Sequence, residues 1–449
     1  MNQNKNNIIG KKNPIFNHLL IYQKKYIFGL ASLLLFLVPL INFFKSDSLL
    51  IGPESYYFLS HSALLQSLAS HFTYETLIII PIFLGLATLY LFFALVEKLN
   101  LSDKFTFFFL LLLVMSPAFI YTYSSLTANS FYFLLIIATL LLLMQEKKMF
   151  TYLAIIPLIL ATFFDVFSSL MLFVLLIIYA ITQKKNISYF YLGVIVFSSI
   201  IQYVLGQPFF LGPFHAEKII HNLISDFGGL SGVSFFAILL SLIGISITWK
   251  RKKLYWGYIF LPLLLPFYFF STQIIFPISI LILFFAAVGF VKLFERTWNL
   301  APIKQITFFL LILGILFSTL SYLDRIDQLT PPGDMIETLT WISYNTGNEV
   351  TILSDESYGD YITFFAKRKA FSTLYEDEHT DINQNLLENT NVIGFISLLE
   401  NQSISILYIS KDMKKTYKDN FIILLQNERF KLIHSHGDYE VWAFSPKEA

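Results

Sequence analysis

Cysteine is absent from all 449 residues, so neither disulfides nor thiolate chemistry can contribute, although this alone identifies no redox compartment. Charge is scarce too: 14% of residues are Asp, Glu, Lys or Arg, whereas 56% are hydrophobic and the mean hydropathy is +0.64. One soluble core cannot use that much apolar surface, which excludes an ordinary soluble domain and points to a membrane protein. Glycine-rich phosphate loops, Ser-His-Asp sets and nucleotide fingerprints are missing, as are low-complexity runs and obvious repeats. No ionisable residue interrupts the middle of an apolar run, which argues against a transporter with a buried proton relay. What is plentiful has to be discounted. The 49 Phe and 25 Tyr accompany frequent Ile, Lys and Asn, a pattern of mutational bias more than of ligand stacking.

A spanning helix needs about twenty apolar residues. Runs of that kind lie near 26–44, 76–96, 105–124, 128–145, 149–164, 166–183, 188–206, 232–249, 254–270, 274–291 and 305–322. The fifth is short, but the fifth and sixth together would make one helix of about 50 Å, too long for a single crossing. Lys147-Lys148 and Lys184-Lys185 flank the two, so they should form a hairpin with both ends on one side. The first run lacks a small-residue cleavage site and is read as a retained helix. Cations orient the chain: 18 Lys and Arg fall in loops assigned to the cytoplasm, against Lys45 and Lys218 outside. The expected fold is a polytopic α-helical membrane protein of the cell membrane, with about 11 transmembrane helices, N-inside and C-outside.

Residues 323–449 differ in kind. They hold 20 acidic and 11 basic residues, a net of −9, leaving +10 for residues 1–322. The pattern predicts a small C-terminal external α/β domain: strand Val350–Leu353, helix Tyr358–Ala366, strand Ser405–Ser410, helix Lys411–Gln426, and a hairpin of Phe430–His434 with Glu440–Phe444 turning at Gly437-Asp438. The membrane part, 1–322, would carry external loops at 45–75 and 207–231.

With cytoplasmic loop charges set aside, six external carboxylates remain in the membrane part: Asp47, Glu54, Glu75, Asp165, Glu217 and Asp226. Glu54 follows Gly52-Pro53 and precedes Ser55-Tyr56-Tyr57, so it opens a short helix whose free amides favour an anion. It is either a first-turn carboxylate on a solvated helix or a base or metal ligand at a lipid–water boundary. Asp165, in Phe163-Phe164-Asp165-Val166-Phe167, is either a turn cap or a carboxylate at a cavity mouth, where desolvation would suit it to general-base work. Asp226 either caps the following helix or joins a site. In Phe214-His215-Ala216-Glu217-Lys218-Ile219-Ile220-His221, Glu217 and His221 share a helical face, and with His215 they form a second, weaker metal-ligand set.

Three stretches carry a resemblance to a known family. Gly52-Pro53-Glu54-Ser55-Tyr56-Tyr57, Ser116-Pro117-Ala118-Phe119-Ile120-Tyr121 and Ser225-Asp226-Phe227-Gly228-Gly229 resemble, in order, the first external loop, the third helix and the late external loop of GT-C membrane glycosyltransferases. Within that superfamily the chain most resembles the catalytic subunit of archaeal and bacterial oligosaccharyltransferases, over its whole length. The resemblance implies transfer of a sugar or glycan from a polyprenyl-phosphate carrier to a glycan, lipid or protein acceptor, with no nucleic acid involved. It implies Glu54 as the acid that activates the acceptor or binds a metal, Asp226 as the late-loop acid, and magnesium or manganese as the ion. The chain also departs from the family. Where the family has an Asp-x-Asp pair it has Ser124-Ser125-Leu126-Thr127-Ala128-Asn129-Ser130, and where the family offers a donor-phosphate arginine it has Ser271-Thr272-Gln273. The family's acceptor motif is reduced to Asp355-Glu356-Ser357-Tyr358-Gly359. A catalytically degenerate subunit that binds glycolipid or assembles with partners is therefore the second reading, and a transporter the third.

Overall fold

The computed structural model describes residues 14–46, 48–62, 74–145, 147–162, 176, 187–204, 223–229, 231–249, 255–268, 274–373, 382–383, 386–387, 392–417 and 427–445. These divide into two units. One comprises Met1–Val38 with Ile79–Arg325, the other Pro39–Ile78 with Ile326–Ala449.

The apolar runs described in the first unit are helical, as continuous apolar runs in lipid must be, because only a helix satisfies its own backbone there. Apolar helices occupy Gln23–Ser46, of which the residues from Pro39 belong to the second unit, Ile79–Lys98, Asp103–Val114, Pro117–Ser124, Ala128–Leu143, Ile187–Val204, Phe235–Thr248, Tyr255–Tyr268, Ile275–Glu295 and Ala301–Asp324. Among the described residues four are long and apolar enough to cross a membrane, or five if the bent pair 103–114 and 117–124 is one span. The chain is thus a multi-pass membrane protein, and the last helix shows its lipid side plainly. Phe309, Leu310, Leu313, Phe317 and Leu320 are all exposed there. The sixth apolar run, 166–183, lies outside the described residues apart from Leu176.

Two of the expected runs differ in detail. The run 105–124 is not one straight helix: it bends by 58° at Met115-Ser116. Pro117 has no amide to continue the ladder and suits the first position of a new helix, while Ser116 Oγ caps that helix by accepting from Phe119 N at 3.2 Å. The bend leaves the Met115 carbonyl without its usual helical donor, and Thr319 Oγ1 of the last helix supplies one at 2.7 Å. The run 149–164 is likewise two short helices, Lys148–Leu153 and Ile155–Thr162. Helices 235–248 and 275–295 cross at glycines. A Cβ on Gly244 would stand 2.0 Å from Phe285 O, and one on Gly289 would stand 2.2 Å from Leu240 O, so only hydrogen fits at either place.

The second unit is built on a five-stranded sheet, β1 (Thr351–Leu353), β2 (Lys369–Ala370), β3 (Ile404–Ser410), β4 (Phe430–His436) and β5 (Tyr439–Phe444), in the order β2-β1-β3-β5-β4. β1 pairs in parallel with β2 and β3, and the β4–β5 hairpin adds antiparallel. Leu407 and Ile409 of β3 join Leu353, Phe395, Leu399, Met413, Phe430 and Trp442 in a core on one face of the sheet. Tyr408, from the alternate position, points to the other face and packs on Tyr358 and Tyr439. The hairpin turns at Gly437, whose φ of 55° suits glycine. Within this unit Pro53–His61 packs against the helical stretch Glu356–Ala366, and Gly333–Asn345 packs on that stretch and on the hairpin.

Candidate functional site

Glu54 sits in the first turn of Pro53–His61, half-buried. Gly52 caps that helix with φ 81° and ψ 145°, a backbone region essentially confined to glycine, and Pro53 pre-sets the first helical φ. The Gly52-Pro53 pair therefore fixes where the helix starts, and the helix start fixes Glu54. The positive end of the helix favours a negative side chain at that position. Ser55 Oγ donates back to Ile51 O at 2.6 Å, and Tyr56 is fully buried.

Asp226 lies in the turn Ser225–Phe227, in the other unit. A bridge between Ile224 and Val233 closes the segment on itself, and Gly228, at φ 110°, makes the reversal. Asp226 Oδ2 accepts from Phe235 N at 2.6 Å and from Ser234 Oγ at 3.4 Å, so it caps the helix Phe235–Thr248 from nine residues upstream. Its other oxygen, Oδ1, is buried and has no hydrogen-bond partner among the described residues.

The charge that answers Asp226 is one the sequence reading assigned to the external tail. The last apolar helix runs on past Tyr322 to Asp324, and Arg325 caps it. Arg325 Nε donates to Ser321 O at 3.0 Å and Nη2 to Ser225 O at 2.7 Å, while Nη1 is buried without a partner among the described residues. Burial pulls the guanidinium pKa down from its ordinary value, and the Asp226 and Asp324 carboxylates oppose that pull. Ser225 Oγ and Ser318 Oγ, 2.5 Å apart, pin the same turn to the last helix. Two buried polar atoms thus lack a hydrogen-bond partner among the described residues, one in this turn and one on the side chain bonded to it. A lone cation just after the last apolar run was the available signal.

The remaining candidates fall out differently. Asp165 and the set His215, Glu217 and His221 lie outside the described residues. Among the described residues no group of three His, Cys, Asp or Glu side chains could hold a metal ion. The turn that stands where the resembled family has Asp-x-Asp is closed: Ser124, Ser125 and Leu126 are fully buried, and Ser125 Oγ is turned inward onto Tyr121 O at 2.6 Å. In the tail, Asp355 caps Glu356–Tyr361 by accepting from Ser357 N at 3.0 Å, and its other oxygen accepts from Tyr417 OH at 3.4 Å. Gly359 is needed for close approach, since a Cβ there would stand 2.1 Å from Ser372 O.

No protein-family model and no curated protein sequence matches the chain. Solved structures do match. The oligosaccharyltransferase of Archaeoglobus fulgidus in its apo form is similar with a TM-score of 0.58 at 12% identity, over 95% of this chain and 75% of that one. The same enzyme in complex with Zn and sulfate gives 0.52 at 11%, over 90% and 72%. ArnT of Cupriavidus metallidurans bound to undecaprenyl phosphate gives 0.51 at 11%, over 92% and 98%. Both proteins are GT-C glycosyltransferases. At these identities the likeness is one of fold, and the fold this chain carries is that of the GT-C glycosyltransferases.

Proposed function

We propose that the chain transfers a sugar or glycan from a polyprenyl-phosphate-linked donor to a glycan, lipid or protein acceptor on the extracytoplasmic face of the cell membrane. The observation that carries this reading is the fold, which matches nearly end to end a protein whose structure holds undecaprenyl phosphate. In this reading residues 1–322 form the membrane part, with about 11 crossings and the N-terminus inside, and 323–449 form the external domain.

The reaction breaks the bond between the anomeric carbon and a phosphate oxygen and joins that carbon to the acceptor heteroatom. Two demands follow: the acceptor must lose a proton, and the departing phosphate gains charge that has to be stabilised. Glu54 is assigned the first task, as base toward the acceptor. Arg325 is assigned the second: its Nη1 has no hydrogen-bond partner among the described residues, and a guanidinium matches phosphate oxygens well. Asp226 holds the turn that Arg325 is bonded to, and Asp165 remains a further candidate acid. Magnesium or manganese would supply the same kind of charge compensation as Arg325.

One observation favours the second reading, a catalytically degenerate subunit that binds glycolipid. The closed turn at Ser124-Ser125-Leu126 leaves no carboxylate where the resembled family places two. The discriminating experiment supplies the purified protein with labelled polyprenyl-phosphate sugars and magnesium or manganese. Wild type should transfer, and Glu54→Gln should lower kcat about 10²- to 10⁴-fold with the protein still folded. Donor binding without transfer in wild type would establish the second reading, and undiminished turnover by Glu54→Gln would remove Glu54 from the mechanism.

A further inference from the structure

A nine-residue helix is marginal by itself, and the one that carries Glu54 is capped by a glycine with no side chain to offer. Something else must hold it. The residues from Pro39 to Ile78 cluster with Ile326–Ala449, and three contacts within that unit bear on this helix. Gly52 N donates to Leu329 O at 3.0 Å. Thr330 Oγ1 donates to Asn42 Oδ1 at 2.6 Å, while Asn42 Nδ2 donates to Ser48 O at 2.8 Å and Leu50 O at 3.2 Å. Asn42 and Thr330 are both buried, so this short chain of bonds fixes the path into Gly52.

The third contact is aromatic. The ring of Tyr56 lies 5.1 Å from that of Tyr361, 5.2 Å from Phe364 and 5.3 Å from Phe365, and its hydroxyl is 3.2 Å from Ser48 Oγ. Phe364 and Phe365 are consecutive, and on an α-helix consecutive side chains diverge by about 100°. Here the backbone of Ile362–Ala366 is a π-helix, whose wider turn lets both rings reach Tyr56, 89° apart in plane. Tyr361 OH also donates to Leu329 O at 3.4 Å, so one carbonyl accepts from both the Glu54 helix cap and the residue that leads into the π-helical stretch.

We propose that the tail segment 326–366 positions the helix that carries Glu54, with Asn42, Tyr56 and Thr330 as its positioning residues. This deepens the functional reading above and rests on it for the role of Glu54. The anchoring itself is independent of turnover.

The test uses the full-length protein in detergent or nanodiscs. Thr330→Val keeps the shape of the side chain and removes its donor, and Thr330→Ser keeps the donor. Hydrogen exchange over 53–61 should rise about tenfold in Thr330→Val while exchange over 404–410 stays unchanged; tenfold corresponds to about 1.4 kcal/mol of local opening. In the same variant kcat should fall about tenfold with the donor KM within about twofold, and Thr330→Ser should restore both. Unchanged exchange over 53–61 would overturn the anchoring. Raised exchange with kcat intact would overturn the positioning role. Should Glu54→Gln prove fully active, the functional reading fails, and the exchange result still decides the anchoring.

Discussion

Glu54 and Asp226 are both carboxylates next to a helix start, yet the chain supports them by different means. Glu54 occupies the helix it depends on, and that helix is held by contacts made far away in sequence: the buried Asn42–Thr330 bond and the Tyr56 ring among Tyr361, Phe364 and Phe365. Asp226 is held first by the cap it makes itself. Its Oδ2 closes a cap nine residues on, and its turn is bonded to Ser318 and Arg325 at the end of the last apolar helix. A carboxylate with both oxygens committed could only be structural. Asp226 commits one, and the other, buried, has no hydrogen-bond partner among the described residues. The difference teaches that a cap need not use up a carboxylate: one oxygen can hold the helix start while the other makes no bond among the described residues.

The comparison can be broken at several points. The largest effect falls on activity. Arg325→Gln should lower transfer about 10²- to 10³-fold, as loss of one charge-stabilising donor does, without changing exchange over 53–61. Equal loss in both readouts would mean that the two supports are not separate. Next is the aromatic anchor: Tyr56→Ala should destabilise the tail unit by about 3–5 kcal/mol in denaturant unfolding, and Tyr56→Phe should recover most of that. A smaller effect is expected at the cap. Asp226→Ala should cost about 0.5–2 kcal/mol, seen as faster exchange at the start of 235–248, with the tail unit untouched.

The smallest effect is pH-dependent and belongs to the hairpin. His434 lies flat on Trp341, ring centroids 4.3 Å apart, and burial, aided by His436, lowers its pKa from the ordinary 6.5. The folded state therefore takes up this proton less readily than the unfolded chain. Its stabilising contribution is complete above the ordinary value and is lost as pH falls through the lowered one. Unfolding midpoints of the tail unit should drop between neutral and mildly acidic pH, and His434→Gln should flatten that slope. A slope unchanged by the substitution would assign it to other groups.

Much of this was legible in the sequence because its signals are local. The apolar runs, the alternation along 404–410, the hairpin at Gly437-Asp438 and the helix start at Gly52-Pro53 each follow from residues within a few positions of one another. The bend at Ser116-Pro117 had its signal in plain view, and hydrophobicity alone hid it. Other parts had no local signal. β2 is two residues long and exists only because β1 lies beside it. Arg325 was hidden because an apolar run shows where lipid ends, whereas the helix continues through Leu323 and Asp324. The grouping of 39–78 with the tail depends on single polar atoms and rings, with no periodicity to announce it.

The Asn42–Thr330 bond joins residues 288 positions apart. At about 5–20 residues per second, a ribosome needs on the order of 15–60 s to make the second partner after the first. Throughout that interval the segment 48–62 has been synthesised but lacks the residues it will pack on. A chain halted near residue 300 would lack its last apolar helix as well as Leu329, Thr330 and Tyr361, so the contacts that hold the Glu54 helix are among the last to form.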